Sequence, residues 1–171
     1  MEILVIFKTH LDLGYTDLAA NIEEKYMKSF IPHALDLAEK TRGTGDEFIW
    51  TTGSWLIDRF LESSEENRAR MERAIEGGMI TWHALPFTTH VEMMDAPLYE
   101  YGLSIAKKLD KRFGKSTIAA KSTDVPGFTK AAVPLLADAG IRLVHIGVNS
   151  VSAMPELPPV FRWRVGGREI I

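Results

Sequence analysis

The chain has 171 residues, 46% of them hydrophobic and 25% charged, which is typical of a globular protein with a substantial core. Its 20 Lys and Arg against 23 Asp and Glu give a net charge of -3, and this argues against a general nucleic-acid binder, since such proteins carry a basic excess. The absence of cysteine excludes disulfides, thiolate metal sites and a cysteine nucleophile. The apolar run Ile3 to Phe7 is too short for a signal peptide or a membrane span, so we expect a cytoplasmic protein with no membrane partner.

Predicted strands and helices alternate along the chain. In chain order they are a strand at residues 2–8, a helix at 18–40, a strand at 47–52, a helix at 55–76, a strand at 79–85, a helix at 98–113, a strand at 116–123, a helix at 130–138 and a strand at 141–148. Pro32 is expected to break or kink the first helix. Residues 154–171 carry three prolines and the pair Gly166–Gly167, which predict a loop followed by a short hairpin.

This alternation predicts an α/β fold with a parallel sheet and right-handed crossovers. A complete eight-stranded β/α barrel needs about 250 residues. The chain supplies about five β/α units, which leaves either an open sheet or the front part of a larger barrel. Because the tail ends without a convincing helix, we expect residues 1–171 to form a single domain that is the N-terminal portion of a larger barrel.

Polar side chains follow the strands at the edge where parallel sheets bind ligands. His10 and Asp12 come after the first strand, and Asp124 comes after the fourth. In an extended segment, residues two apart point to the same side, so an imidazole nitrogen and a carboxylate oxygen can share one cation. The alternatives are an Asp12 that caps the next helix and an Asp124 that begins a turn.

Together, His10, Asp12 and Asp124 supply one nitrogen and at least two oxygens. This set favours Zn²⁺ over Mn²⁺ or another divalent cation, with a coordination position left open. Trp55 can stack on a sugar face, although core packing is the commoner role of Trp. His90 can bind metal or substrate, or be a plain surface residue. Glu92 and Asp95 are possible acids, with solvated loop carboxylates the favoured interpretation.

Two segments resemble motifs of glycoside hydrolase family 38, the α-mannosidases. HLDLGYTD after the first strand resembles the family's H-x-D-x-G-W segment, and TDVPGFT resembles its I-D-P-F-G-H-S segment. WTTGSWLIDRFLE and PLLADAGIRLVHIGVN resemble an uncharacterised branch of α-mannosidase-like proteins more closely still. The resemblance covers most of the chain but only the N-terminal part of the family's catalytic barrel.

The resemblance implies a seven-stranded β/α barrel, a bound zinc ion and a retaining glycosidase. His10, Asp12 and Asp124 would be zinc ligands, Asp124 would also be the nucleophile, and Tyr15 would stand where the family has a sugar-stacking Trp. Phe128 replaces a histidine of the family's motif. The family's fourth zinc ligand and its general acid would fall beyond Ile171, so the chain would be incomplete as an enzyme.

Two other functions remain open from the residues alone. A metal-dependent carbohydrate deacetylase also uses a His/Asp metal site, but the paired Asp-Asp and H-x₃-H segments typical of those enzymes are absent. The other possibility is a non-catalytic module that binds sugar or metal. In each case the expected partner is a carbohydrate, and exposed barrel edges predict a homo-oligomer.

Overall fold

The computed structural model describes residues 3–125, 127–153 and 156–171. Three predicted features fall at least partly outside this range: the start of the first strand at Glu2, the proline Pro126 after Asp124, and part of the proline-rich loop at residues 154 and 155. The chain packs as two compact units, Met1–Trp82 and His83–Ile171. The prediction of a single domain stays a prediction.

The first unit is built on a small sheet in the order β1-β2-β3. β1 pairs with β2 in parallel, with Phe7 opposite Trp50 and Lys8 opposite Thr51. Its elements are β1 (Phe7–Lys8), α1 (Ala19–Lys25), a π-helical segment (Tyr26–Phe30), α2 (Ile31–Thr41), β2 (Trp50–Gly53), α3 (Ser54–Leu61), α4 (Glu65–Glu76) and β3 (Ile80–His83), whose last residue begins the second unit.

The predicted break at Pro32 is a widened helical turn rather than an interruption. Pro32 occupies the first turn of α2, directly after the π-helical segment Tyr26–Phe30. A proline has no N–H to donate to the preceding turn, and a π-type turn accommodates that loss without ending the helix. Helical backbone therefore continues from Ala19 to Thr41.

The long helix predicted at residues 55–76 is two helices. Ser64 adopts an extended conformation between α3 and α4, and its hydroxyl accepts a hydrogen bond from the N–H of Asn67 at 3.1 Å. This N-cap starts a second helix and lets it turn against α2. Arg70 of α4 then bonds the carboxylates of Asp36 and Glu39 on α2.

The second unit contains a two-stranded parallel sheet and a hairpin. Its elements are α5 (Ala96–Phe113), β4 (Ala119–Thr123), α6 (Ala132–Asp138), β5 (Leu143–Gly147), β6 (Trp163–Val165) and β7 (Arg168–Ile170), with a short 3₁₀ turn at Val91–Met93. Gly114 ends α5 in the left-handed conformation, directly after the predicted helix at residues 98–113. Gly166 and Gly167, both with positive φ, join β6 to β7 in the predicted hairpin.

The core of the second unit lies between helices α5 and α6 and one face of β4 and β5. Leu136 of α6 and Ala120 of β4 are almost fully buried there, with Val144 of β5 packed against them. Ile170 of β7 joins the same core, and the N–H of Val144 donates to the carbonyl oxygen of Ile171 at 2.7 Å. The opposite face of β4 and β5 is therefore the one these helices do not cover.

Across the described part of the chain, no helix combines the length and the apolar character needed to cross a membrane.

Candidate functional site

The structure joins His10 and Asp12 directly after β1. His10 Nε2 lies 2.9 Å from Asp12 Oδ1, and both side chains are about one-third exposed, at 31% and 34%. Two buried aromatic residues anchor this loop: the Tyr26 hydroxyl donates to the His10 carbonyl oxygen at 3.2 Å, and the Trp50 indole donates to Thr9 Oγ1 at 2.6 Å. These bonds hold the loop at Thr9 and His10, while the His10 imidazole and the Asp12 carboxylate reach solvent.

This pair fits a cation in chemistry and in spacing. In a tetrahedral zinc site with bonds of about 2.0–2.1 Å, a nitrogen and an oxygen ligand lie about 3.3 Å apart. His10 and Asp12 would have to separate by only a few tenths of an ångström to hold one ion. Residues Gly14, at φ 84°, and Leu11, which is buried, hold the turn around them.

The surroundings of the His10–Asp12 loop affect the pKa of the Tyr26 hydroxyl. Burial first, and then the negative charge of Asp12, raise the pKa of Tyr26 above its ordinary value. The Tyr26 hydroxyl therefore stays protonated at neutral pH and keeps its hydrogen bond to the His10 carbonyl oxygen. Tyr26 was not singled out from the sequence, because its contact depends on the packing of the π-helical segment.

Asp124 directly follows β4 in the second unit. Its φ of 71° is left-handed, and it is the one non-glycine among the described residues with a positive φ. Its N–H donates to the Gly147 carbonyl oxygen at 3.1 Å, and its own carbonyl oxygen accepts from Asn149 Nδ2 at 3.2 Å. A strained backbone held by two hydrogen bonds is typical of a functional position.

A second carboxylate approaches the loop after Asp124. A Cβ built on Gly127, whose φ is 76°, would lie 2.8 Å from the carboxylate of Glu92. Glu92 is exposed, in agreement with the favoured interpretation as a solvated loop carboxylate, and its carboxylate lies beside the backbone of Gly127. Asp95, the other predicted acid, accepts a hydrogen bond from the N–H of Leu98 and caps α5.

The predicted substrate-binding residues differ in their surroundings. Tyr15 is 87% exposed in the loop after the His10–Asp12 pair. Trp55 is partly buried in the first turn of α3. His90 is exposed, and its carbonyl oxygen accepts the N–H of Met93 at the start of the 3₁₀ turn. The exposure of these three side chains neither supports nor contradicts the predicted sugar contacts.

One polar pair was not predicted from the sequence. His145 of β5 is exposed, and its Nδ1 lies 2.7 Å from the ammonium of Lys121. The strand pattern was visible in the sequence, but the register that sets Lys121 opposite His145 was not.

The chain is similar in fold to carbohydrate-active enzymes. It matches an alpha-mannosidase from Enterococcus faecalis V583 with a TM-score of 0.71 and 12% identity, over 83% of this chain and 16% of that one. It matches a 4-alpha-glucanotransferase from Thermococcus litoralis with a TM-score of 0.59 and 17% identity, over 81% of this chain and 21% of that one. No protein-family model matches the sequence, and no curated protein sequence matches it.

The paired strands confirm the predicted α/β fold with parallel strands, and the chain resembles parts of these two enzymes in fold. The chain spans less than a quarter of either matched structure. Its strands form small sheets of three, two and two strands within the described residues, so closure into a seven-stranded barrel stays a prediction.

Proposed function

We propose that the chain is the N-terminal portion of a zinc-dependent retaining glycoside hydrolase with an α-mannosidase-like, seven-stranded β/α barrel. The observation that carries this proposal is the His10–Asp12 pair, 2.9 Å apart at the end of β1. It is supported by the fold similarity to the alpha-mannosidase and by the left-handed Asp124 at the end of β4.

In this proposal His10, Asp12 and Asp124 would hold the zinc ion. The ion would bind sugar hydroxyls and stabilise the charge that develops as the ring flattens. The carboxylate of Asp124 attacks the anomeric carbon as the bond to the leaving oxygen breaks. A glycosyl ester on Asp124 results, and water then hydrolyses it with overall retention of configuration.

Two groups of the full mechanism are expected from sequence beyond Ile171. The leaving oxygen must receive a proton from a general acid, a contribution of about 10²–10⁴-fold. The zinc ion would take a further histidine ligand or water at its open position. We therefore propose that this chain binds metal and sugar, and that turnover requires the additional residues.

The test is the metal content of the purified protein after dialysis, measured by elemental analysis. We expect near-stoichiometric zinc in the wild type, loss of zinc in Asp12→Ala and retention in the matched control Asp46→Ala, which changes an exposed loop aspartate. Asp124→Asn should also lose zinc, because it replaces a charged ligand with a weaker one.

Wild-type protein without zinc after incubation with excess zinc would contradict the proposal. Zinc binding that is equal in the wild type and Asp12→Ala would place the ion elsewhere. Release of acetate from acetylated sugars, with aryl glycosides left intact by the zinc-loaded protein, would favour the deacetylase. Sugar binding with neither reaction, even in an extended chain, would favour the non-catalytic module.

A further inference from the structure

An asparagine beyond the end of β5 bonds the backbone of Asp124 beyond the end of β4. The two strands pair in parallel as far as Thr123 and Gly147, and the N–H of Asp124 then donates to the Gly147 carbonyl oxygen at 3.1 Å. In a regular parallel ladder, the next bond runs from the backbone N–H of residue 149 to the carbonyl oxygen of residue 124. Here the side-chain Nδ2 of Asn149 donates to that oxygen at 3.2 Å. The side chain thus continues the hydrogen bonding by one step beyond the strands.

The side-chain amide of Asn149 is oriented by the turn that follows β5. Its Oδ1 accepts a hydrogen bond from the N–H of Val151 at 3.1 Å, and its backbone carbonyl oxygen accepts one from the N–H of Ser152 at 3.2 Å. An amide side chain carries its acceptor oxygen and its donor nitrogen on opposite sides. With the oxygen bonded to Val151, the amide nitrogen is directed at the carbonyl oxygen of Asp124. Asn149 therefore joins the loop after β5 to the loop after β4.

These bonds determine the direction in which the Asp124 side chain leaves the backbone. The peptide group before Asp124 is held through its N–H, and the peptide group after it is held through its carbonyl oxygen. Because φ and ψ are the two soft backbone dihedrals of a residue, holding both flanking peptide groups fixes the direction of the Cα–Cβ bond. At φ 71° this conformation is strained for an aspartate, and such strain persists where the surrounding structure enforces it. Asn149 supplies one of the two bonds that enforce it.

We propose that Asn149 is a positioning residue that sets the direction of the Asp124 carboxylate. The inference rests on the proposed function, in which Asp124 is both a zinc ligand and the nucleophile. In this role Asn149 acts on the backbone of Asp124 and binds neither the metal nor the sugar. Loss of a residue that orients a metal ligand typically lowers metal affinity by about 10–100-fold. The affinity for zinc is therefore the quantity that responds to Asn149.

The experiment compares three single variants of the full chain with the wild type. Asn149→Ala removes both side-chain hydrogen bonds, whereas Asn149→Asp keeps an acceptor for Val151 and sets a carboxylate oxygen against the carbonyl oxygen of Asp124. The matched control Asn67→Asp makes the same change on α4, where the amide bonds the hydroxyl of Ser63. Zinc affinity is measured by titration against a competing chelator, on protein that circular dichroism shows to be folded. Hydrogen exchange of the Asp124 N–H is measured by NMR on the metal-free chain.

We expect both Asn149 variants to bind zinc about tenfold more weakly or worse, and to exchange the Asp124 N–H faster than the wild type does. Asn67→Asp should leave both quantities unchanged. A negative charge added near a cation favours binding, so weaker zinc binding in Asn149→Asp cannot be an effect of charge. A merely structural role would lower the free energy of unfolding but leave the zinc affinity of the folded protein unchanged.

If Asn149→Ala does not fold, Asn149→Asp decides, because it keeps the bond to Val151 in the turn. Wild-type zinc affinity in the Asn149 variants would overturn this inference but leave the proposed function standing. Weaker zinc binding without faster exchange at Asp124 would also overturn it, because Asn149 would then act by another route. A wild type that binds no zinc would contradict the proposed function, and exchange in the metal-free chain would then decide this inference alone. Faster exchange at Asp124 in the variants would support it, and unchanged exchange would overturn it.

Discussion

The left-handed backbone of Asp124 affects stability independently of its proposed role as a metal ligand and nucleophile. At φ 71°, a residue with a Cβ is strained by about 1–2 kcal/mol, and Asp and Asn tolerate this conformation better than other residues. We expect Asp124→Ala to lower the free energy of unfolding by about 1 kcal/mol more than Asp124→Asn does. Urea unfolding of both variants measures the difference, and equal stabilities would contradict it.

The same difference in strain decides which Asp124 variant is suited to tests of the proposed zinc site. Both variants remove the charged carboxylate, but only Asp124→Asn leaves the local backbone with a residue suited to it. Metal and sugar binding should therefore be compared between the wild type and Asp124→Asn, since Asp124→Ala combines the loss of the ligand with a destabilised turn.

Tyr99 carries a buried hydroxyl that the fold does not use. It is 3% exposed on α5, and among the described residues its hydroxyl has no hydrogen-bond partner. Burial raises the pKa of Tyr99 well above its ordinary value. We expect Tyr99→Phe to raise the free energy of unfolding by about 1 kcal/mol at pH 7, because an unsatisfied buried polar group is removed.

The pH dependence of the free energy of unfolding provides a control for the Tyr99→Phe prediction. Because the pKa of Tyr99 is raised in the folded state, only the unfolded chain ionises there as the pH rises above about 10. The wild type loses stability in that range, whereas Tyr99→Phe does not lose this contribution, so the gap should widen with pH. A destabilised Tyr99→Phe at pH 7 would mean that the hydroxyl has a partner, such as a bound water.

At the scale of elements, β4 and β5 leave no room for a side chain at one glycine. A Cβ on Gly147 would lie 2.8 Å from Cγ2 of Thr123, its paired residue. Gly147→Ala should therefore destabilise the fold by about 1–3 kcal/mol through overpacking. Thr123→Ser removes the methyl group, and in that background the same change should cost less.

A double-mutant cycle in urea measures this coupling. A non-zero coupling that favours the double variant confirms that the contact sets the strand separation. Additive effects of the two substitutions would show that the strands adjust without it, and that Gly147 is needed for another reason.

The order of strands and helices could be predicted from the sequence, because alternating apolar runs and glycine stops are local signals. Two details of the helices could not be predicted, for identifiable reasons. The hydroxyl of Ser64 caps a new helix within a segment whose composition is helical throughout. The break expected at Pro32 is absorbed by a π-helical turn, which depends on the neighbouring residues rather than on proline alone.

In the candidate site, too, contacts between residues close in sequence could be predicted, and contacts between distant residues could not. The spacing of His10 and Asp12 placed both side chains on one side, and the structure has them 2.9 Å apart. The pairing of Lys121 with His145 needs the register of two strands, which spacing along the chain does not contain. Contacts set by tertiary packing, such as Tyr26 on the loop of His10, were not predicted for the same reason.

At the scale of the whole molecule, the first strand leaves an unusually apolar surface exposed. β1 is at the edge of its sheet. The residues before it, Ile3, Leu4, Val5 and Ile6, are 63–85% exposed. Both alternating faces of this segment are apolar, a pattern typical of strands covered on both sides. An exposed apolar edge of this kind pairs readily with another chain.

We therefore expect the purified chain to form dimers or larger oligomers through residues 3–6. Sedimentation velocity over a range of concentrations should show association in the wild type. Val5→Lys should shift the protein towards monomer, because a charged side chain at a sheet edge opposes pairing. Leu98→Lys, a matched change at an exposed position on α5, should not. A wild type that stays monomeric at high concentration would show that this edge is covered within the molecule itself.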